Sequence, residues 1–323
     1  MKKLRLYLMA AVLCLSLSFT GCSGYSPIEP SDKDITVVGH VEGKEVYLDQ
    51  LRFAAYTCRE QLIAEYGEDI FKGDDAQKYL DMLRDMVYSS ITADYATLLL
   101  CEESYFGLGE TAVLERVDQK LNELVDELGG MSKYKRYLKE NHLTDRLIRF
   151  STEISLLQSE LFYVYRDDIS IIENDDEKLY DIIKKEFIKV RHVFVPHSDA
   201  QLMDTVTSEL ESGGNISDLI TKYGKDPDMT SEGIFIIKGY MSERYEASAF
   251  DLEIGEMSGV VEDANGLYVI ERLDVAPTDV MLKFDYLKQL YQTYTFYSMI
   301  DQKQTELEFV PNDAGTEFIK NPF

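Results

Sequence analysis

Val190-Arg191-His192-Val193-Phe194-Val195 is a short run near the start of the most informative segment of the chain, which extends from Phe187 to Leu273. Its β-branched and aromatic residues are typical of a strand. The stretch closes with a turn and strand, Gly255-Glu256-Met257-Ser258-Gly259-Val260-Val261, and with a last strand from Asn265 to Leu273. We predict that these strands form a small antiparallel sheet flanked by helices.

The residues between these strands predict helices and loops. Ser198 and Gln201 form a capping box, and the helix that they begin is expected to end at Gly213-Gly214. Its apolar positions, at helical spacing, are Leu202, Val206 and Leu210. A loop from Tyr223 to Asp226 follows, and the segment from Gly239 to Phe250 precedes the closing turn.

This order of elements resembles the parvulin family of peptidyl-prolyl isomerases along the whole stretch. The resemblance implies rotation about the peptide bond before proline, with a proline slot above a small polar network. Met241 matches the methionine of the slot, Tyr245 its aromatic residue, and Phe250 the position behind it. His192 matches the first histidine of the network, and Asp226 matches a loop position that is Asp or Cys in the family.

The sequence departs from the family pattern in the network itself. Gly266-Leu267-Tyr268 stands where the family has Gly-x-His, so Tyr268 replaces the second histidine with a neutral hydroxyl that can donate and accept. The glycine-rich motif that the family has before the slot is reduced here to Glu232-Gly233-Ile234-Phe235-Ile236. The proline in Asp226-Pro227-Asp228 is expected to stiffen the loop that carries Asp226. Asn265 is a candidate for binding the substrate carbonyl, although an Asn-Gly turn also explains it.

The chemistry explains why such residues are needed. Rotation about the bond crosses a barrier of about 18–20 kcal/mol that amide resonance creates. An apolar pocket that removes water from the planar amide favours the twisted form, and a donor to the prolyl nitrogen adds to this effect. No covalent nucleophile is needed, and we predict no cofactor.

The first residues of the chain predict export. Lys2, Lys3 and Arg5 precede an apolar run from Leu6 to Phe19, which is shorter than the about 20 residues of a membrane span and fits a signal peptide. Thr20-Gly21-Cys22 resembles a bacterial lipobox, with cleavage before Cys22 and lipidation of its thiol. Ordinary secretion with an incidental cysteine is the alternative.

Composition limits the partners and the chemistry. The chain of 323 residues has a formal net charge of −26, so nucleic acid and anionic lipid would be repelled. Cys58 and Cys101 are either two buried thiols or a disulfide pair. The four histidines are scattered, and zinc-type spacing and a calcium loop are both missing from the sequence, so we predict no metal site.

The rest of the chain predicts a helical region. Val37 to Val46 is typical of a hairpin around Glu42-Gly43, and apolar stripes at helical spacing follow. This order resembles, more loosely, the chaperone region of PrsA- and SurA-type foldases. The resemblance implies that a C-terminal helix, from Val280 to Phe309, packs on that region.

We therefore predict an α+β fold in which a parvulin-like domain is inserted into a helical chaperone domain. The predicted segments are a lipoprotein signal (1–21), a flexible tether (22–34), a helical domain (35–185), the parvulin-like domain (186–275) and the C-terminal helix (276–323).

The function predicted from these segments is that of a lipid-anchored, extracytoplasmic foldase with weak isomerase activity. Its partners would be unfolded or newly exported polypeptides and, through Cys22, the membrane. The alternative is a holdase that only grips unfolded chains, for which 22 Tyr and 11 Met offer adaptable contacts. The sequence does not indicate an oligomeric state.

Overall fold

The computed structural model describes residues 24–104, 106–168 and 170–320. The predicted signal peptide and the lipidation site at Cys22 lie outside these residues. The chain divides into two units, which we call the sheet unit (170–295) and the helical unit (24–168 with 296–320). The sequence of the sheet unit thus interrupts that of the helical unit, and the prediction of an α+β fold with an inserted domain is confirmed.

The helical unit begins with a hairpin. Strands β1 (Val37–Val41) and β2 (Lys44–Tyr47) are antiparallel, and β7 (Val310–Pro311) pairs with the other edge of β1. The hairpin turns at Glu42 and Gly43, whose φ angles of 48° and 76° are the positive pair that a tight hairpin turn requires. The predicted hairpin is therefore present at the predicted turn.

Helices make up the rest of this unit. They are α1 (Leu48–Tyr66), α2 (Ala76–Glu103), α3 (Thr111–Leu128), α4 (Met131–Glu140), α5 (Asp145–Tyr163) and, at the end, α12 (Asp313–Lys320). α2 packs on α1 and on α5, and α3 also packs on α5. The core comes from apolar positions at helical spacing, such as Leu83 and Val87 on α2 and Leu157 and Leu161 on α5.

The predicted tether is bound to these helices in part. The Tyr25 hydroxyl donates to Asp145 Oδ2 over 2.8 Å, and the Ile28 amide donates to the same oxygen over 3.1 Å. The Tyr134 hydroxyl donates to the second oxygen of Asp145 over 2.8 Å. The buried Asp145 carboxylate thus holds residues 25–28 against α4 and α5.

The sheet unit contains a four-stranded antiparallel sheet in the order β4-β3-β6-β5. Its strands are β3 (Ile188–Pro196), β4 (Ile234–Ile236), β5 (Val261–Glu262) and β6 (Gly266–Leu273). Its helices are α6 (Asp176–Glu186), α7 (Gln201–Glu211), α8 (Ile216–Tyr223), α9 (Glu243–Asp251) and α10 (Pro277–Leu282). α11 (Phe284–Thr305) belongs to this unit as far as Thr295.

Alternate residues of β3 lie on opposite faces of the sheet. Val193 and Val195 pack with apolar residues of α7 and α8. Val190 and Phe194 belong to a second cluster, on the other face, with α9. His192 lies between these two residues in the sequence, so it points to the α9 face.

A third apolar cluster lies outside the predicted limits of 186 and 275. Ile183 of α6, Phe235 of β4, Val280 of α10 and Leu287 of α11 are buried together. Helices on either side of the predicted domain therefore share a core with one of its strands, which is why the compact unit extends from 170 to 295.

The predicted capping box is wrong. A 3₁₀ turn, His197–Asp199, precedes α7, and Ala200 takes the N-cap position without a side-chain hydrogen bond. The turn shifts the start of the helix, so Ser198 lies too far back to cap it.

Both cysteines of the helical unit are free and buried. Burial raises the pKa of each thiol, Cys58 and Cys101, to about 12, which makes both weak nucleophiles. The sequence left open either a disulfide or two buried thiols at Cys58 and Cys101, and the structure contains the two thiols. Within the described ranges, no helix combines the length and the apolar character that crossing a bilayer requires.

We expect Gly39→Ala to destabilise the helical unit. A Cβ atom at this position would lie 2.5 Å from Phe309 Cε2 and 2.6 Å from the Val310 carbonyl oxygen. The carbonyl belongs to a paired strand and cannot rotate away, so a cost of about 1–3 kcal/mol is expected. Calorimetric unfolding measures this cost. Gly107→Ala is the control, because its Cβ would meet only Glu102 Cγ at 3.6 Å, and equal unfolding temperatures for both variants would contradict the close approach.

Candidate functional site

The centre of the site is His192, in the middle of β3. It pairs with Ile270 of β6, and its side chain is only 1% exposed. A buried imidazole requires a hydrogen-bond partner at both ring nitrogens. The structure provides one partner from the loop after α8 and one from α9.

The loop partner is Asp226. His192 Nε2–H donates to Asp226 Oδ2 over 3.1 Å. The loop is pinned to β3 because the Lys225 amide donates to the Phe194 carbonyl over 2.9 Å, and the other oxygen of Asp226 accepts from the Asp228 amide over 2.9 Å. The hydrogen bond from His192 lowers the pKa of the Asp226 carboxyl, while its partial burial opposes that shift. Asp226 is therefore a carboxylate at neutral pH and can only accept.

The helix partner is Tyr245. Its hydroxyl lies 2.8 Å from His192 Nδ1. Tyr245 is fully buried on the first turn of α9, where the Ser242 side chain accepts from its amide. Burial raises the pKa of Tyr245 further above its usual value, so the hydroxyl keeps its proton. Because Asp226 accepts the proton of Nε2, Nδ1 is the nitrogen that accepts from the Tyr245 hydroxyl in the neutral form of the ring.

Tyr268, which stands where the resemblance implies a second histidine, lies beside His192. Its ring meets His192 and Tyr245 edge to face, with 5.2 Å between ring centroids in each case. Phe194 packs on it at 4.8 Å. Burial raises the pKa of Tyr268. The hydroxyl that bonds His192 thus belongs to Tyr245, and Tyr268 contributes an apolar ring.

The predicted slot residues lie in the same cluster. Met241 and Phe250 are partly buried and pack against the cluster that contains Tyr245 and Tyr268. The ammonium group of Lys238 lies 5.4 Å from the centroid of the Phe250 ring. His192, Asp226, Met241 and Phe250 are therefore brought together on one face of the sheet, as the sequence predicted.

Asn265 belongs to a tight turn. Its amide donates to Asp263 Oδ1 over 2.7 Å, and the Asp263 amide donates to the Gly266 carbonyl over 3.0 Å. Burial raises the pKa of Tyr268, and a hydrogen bond from the Asn265 side chain opposes this increase with a smaller effect. The backbone contacts give Asn265 a role in the turn, and binding of a substrate carbonyl by its side chain stays a prediction.

Tyr245 differs from its predicted role. It was expected to form the aromatic wall of the slot, but its fully buried side chain supports the histidine instead. A signal for this was present in the sequence. The resemblance implies a phenylalanine at 245, and a tyrosine stands there in the same chain that lacks the second histidine at 268.

Chemically, the arrangement combines one polar group with apolar surroundings. The His192–Asp226–Tyr245 network can orient donors and dipoles toward a bound amide, while the cluster with Met241 and Phe250 can exclude water. Among the residues that the structure describes, no cluster of His, Cys, Asp and Glu is suited to hold a metal ion.

Comparison with known proteins finds relatives over most of the chain, although no family model matches it. The PrsA foldase of Caldanaerobacter subterraneus subsp. tengcongensis is 24% identical over 288 residues, which cover 86% of this chain and 85% of the relative. A parvulin-like PPIase of Rickettsia prowazekii is 27% identical over 278 residues, or 83% of this chain and 84% of the relative.

A solved structure is also similar. The crystal structure of the peptidylprolyl isomerase PrsA from Bacillus anthracis aligns with a TM-score of 0.37 and 18% identity, over 68% of this chain and 96% of that one. The relationship rests on the two sequence matches above. The recognition made from the residues is therefore confirmed: over most of its length, this chain is similar to PrsA foldases and parvulin-like prolyl isomerases.

Proposed function

We propose that this chain is a foldase that isomerises Xaa-Pro bonds in unfolded polypeptides. The observation that carries the proposal is the buried His192, held between Asp226 and Tyr245 beside Met241 and Phe250. The relatives' names, foldase and parvulin-like PPIase, support the same activity. We assign this activity to the segment 186–275.

In the proposed reaction, the proline ring packs against Met241 and Phe250. The bond to be rotated then lies near the polar network and away from bulk water. Loss of water raises the free energy of the planar, polar amide relative to the twisted amide. The network provides fixed dipoles that do not have to reorganise during rotation. Each tenfold acceleration needs about 1.4 kcal/mol, so a few such effects are sufficient.

We further propose that the protein acts outside the cytoplasm, anchored by a lipid on Cys22. The basic, apolar and Thr20-Gly21-Cys22 segments at the start of the chain support this part of the proposal. The clients would then be newly exported polypeptides. The net charge of −26 favours basic or apolar segments of such clients.

A holdase without catalysis is the second candidate. The observation that favours it is the buried pair of Tyr245 and Tyr268, whose rings fill the space beside His192. Such a domain would bind proline-containing segments without accelerating their rotation.

We expect His192→Ala and Asp226→Ala to lower kcat/KM for a short Xaa-Pro peptide about tenfold or more. Each substitution removes a member of the network and takes from its partner the hydrogen bond between His192 and Asp226, and a tenfold loss corresponds to about 1.4 kcal/mol. A protease-coupled assay measures the rate. His40→Ala is the matched control, because His40 is exposed in the helical unit.

Equal background rates in the wild type and in every variant would refute the isomerase proposal. Suppression of client aggregation by that same inactive wild type would establish the holdase instead.

We expect Tyr245→Phe to lower the rate about tenfold and Tyr268→Phe to leave it nearly unchanged. Both substitutions remove one hydroxyl and keep the ring, but only the Tyr245 hydroxyl bonds His192. The loss of one hydrogen bond in a buried network is consistent with this magnitude. The same assay compares the two variants, and a larger effect at Tyr268 would contradict the assignment.

We expect Asp226 to stabilise the sheet unit at neutral pH and this stabilisation to be lost in acid. Its pKa is lowered in the folded state, chiefly by the hydrogen bond from His192, so its contribution is complete above the unfolded value of about 3.9 and is lost as pH falls through the folded value. Calorimetry between about pH 5 and pH 3 is expected to show a smaller decrease in unfolding temperature for Asp226→Asn than for the wild type. Asp228→Asn, at an exposed position of the same loop, is the control. Parallel curves for the wild type and Asp226→Asn would contradict the coupling.

A further inference from the structure

The loop that carries Met241 has a defined shape. It connects β4 to α9 through a turn in which the Tyr240 amide donates to the Ile237 carbonyl over 3.1 Å. Gly239 is the third residue of this turn and has a φ of 91°, the positive value that a type II turn requires at that position. Ser242 then caps α9. The backbone of Met241 thus lies between a tight turn and a helix start.

One carboxylate binds this loop on both sides of Tyr240. Glu246 Oε2 accepts from the Gly239 amide over 2.7 Å, and Glu246 Oε1 accepts from the Met241 amide over 2.7 Å. Hydrogen bonds from backbone amides to an ionised carboxylate are shorter and stronger than neutral ones. Glu246 therefore uses both of its oxygens to connect α9 to the loop.

The loop is also confined from behind. A Cβ atom at Gly239 would collide with the hydroxyl of Tyr294, a residue of α11 in the same unit. The Met241 side chain packs on the cluster that contains Tyr245 and Tyr268. The carboxylate, the tyrosine and the apolar cluster together leave the loop little freedom to move.

We propose that Glu246 is a positioning residue that holds Met241 where the proline ring of the substrate is received. This rests on the proposed function. Glu246 acts through the backbone amides of Gly239 and Met241, whereas the hydrogen-bond partners of His192 are Asp226 and Tyr245. Release of the loop therefore weakens substrate binding, because the bound substrate must then order the loop, and it leaves the rotation step intact.

The test is Glu246→Gln in the full chain, with Glu243→Gln as the control. Glutamine has the same shape but presents an NH₂ group to one of the two amide donors, which breaks one hydrogen bond. We expect KM for an Xaa-Pro peptide to rise about tenfold, equivalent to about 1.4 kcal/mol, with kcat changed less than about twofold. Glu243 is exposed on the same helix, so its substitution removes the same charge and is expected to change neither constant. A loss in kcat with KM unchanged would overturn the proposal.

A second measurement does not depend on activity. Amide hydrogen exchange, followed by NMR without substrate, is expected to accelerate at Gly239 and Met241 in Glu246→Gln. Exchange at Tyr245, whose amide donates to Ser242, is expected to stay slow. Unchanged protection at Gly239 and Met241 would overturn the proposal, even in a protein without isomerase activity. Suppose instead that the wild type has no isomerase activity but exchange at Gly239 and Met241 is faster in Glu246→Gln. That result would reject the proposed function and would still support the binding of both amides by Glu246.

Discussion

The rest of the site depends on satisfying a buried imidazole. His192 lies in one of the two inner strands of the sheet with both ring nitrogens removed from water, and an unpaired polar group there would cost roughly 1–3 kcal/mol. Asp226 and Tyr245 meet this requirement from a loop and a helix that are distant from each other in sequence. The requirement thus explains why the loop after α8 is pinned to β3 and why α9 lies against the same face.

The same constraint links the departures from the family pattern. The resemblance implies a second histidine at 268, and a tyrosine there without any other change would leave His192 Nδ1 to find a new partner. The hydroxyl at 245 provides that partner, and the ring at 268 fills the volume. Two substitutions that each appear to degrade the site are therefore complementary in the fold. The polar group at the centre of the site is retained, although a different side chain supports it.

Much of this arrangement was predictable from particular residues. Strand alternation placed His192 on the face opposite Val193, and the family order placed Asp226 and Met241 near it. The hydroxyl of Tyr245 was not assigned, because helical spacing indicates which face a residue occupies but not which atom its terminal group meets. The wrong capping box has a local cause, since a 3₁₀ turn occupies His197–Asp199 and moves the start of the helix beyond Ser198. The cluster of Ile183, Phe235 and Leu287 joins residues about a hundred positions apart, and a pattern read along the chain does not reveal such contacts.

Nitrogen NMR directly tests which ring nitrogen of His192 carries the proton and which partner each nitrogen has. A long-range ¹H–¹⁵N correlation spectrum of the histidine-labelled full chain reports the protonation of each ring nitrogen, and a His192→Gln variant assigns the signal among the four histidines. The network of His192 described above requires a proton on Nε2, facing Asp226, and an unprotonated Nδ1 that accepts from Tyr245, with the Nδ1 resonance moving in Tyr245→Phe. A proton on Nδ1 with none on Nε2, or an Nδ1 resonance that does not respond to Tyr245→Phe, would contradict it.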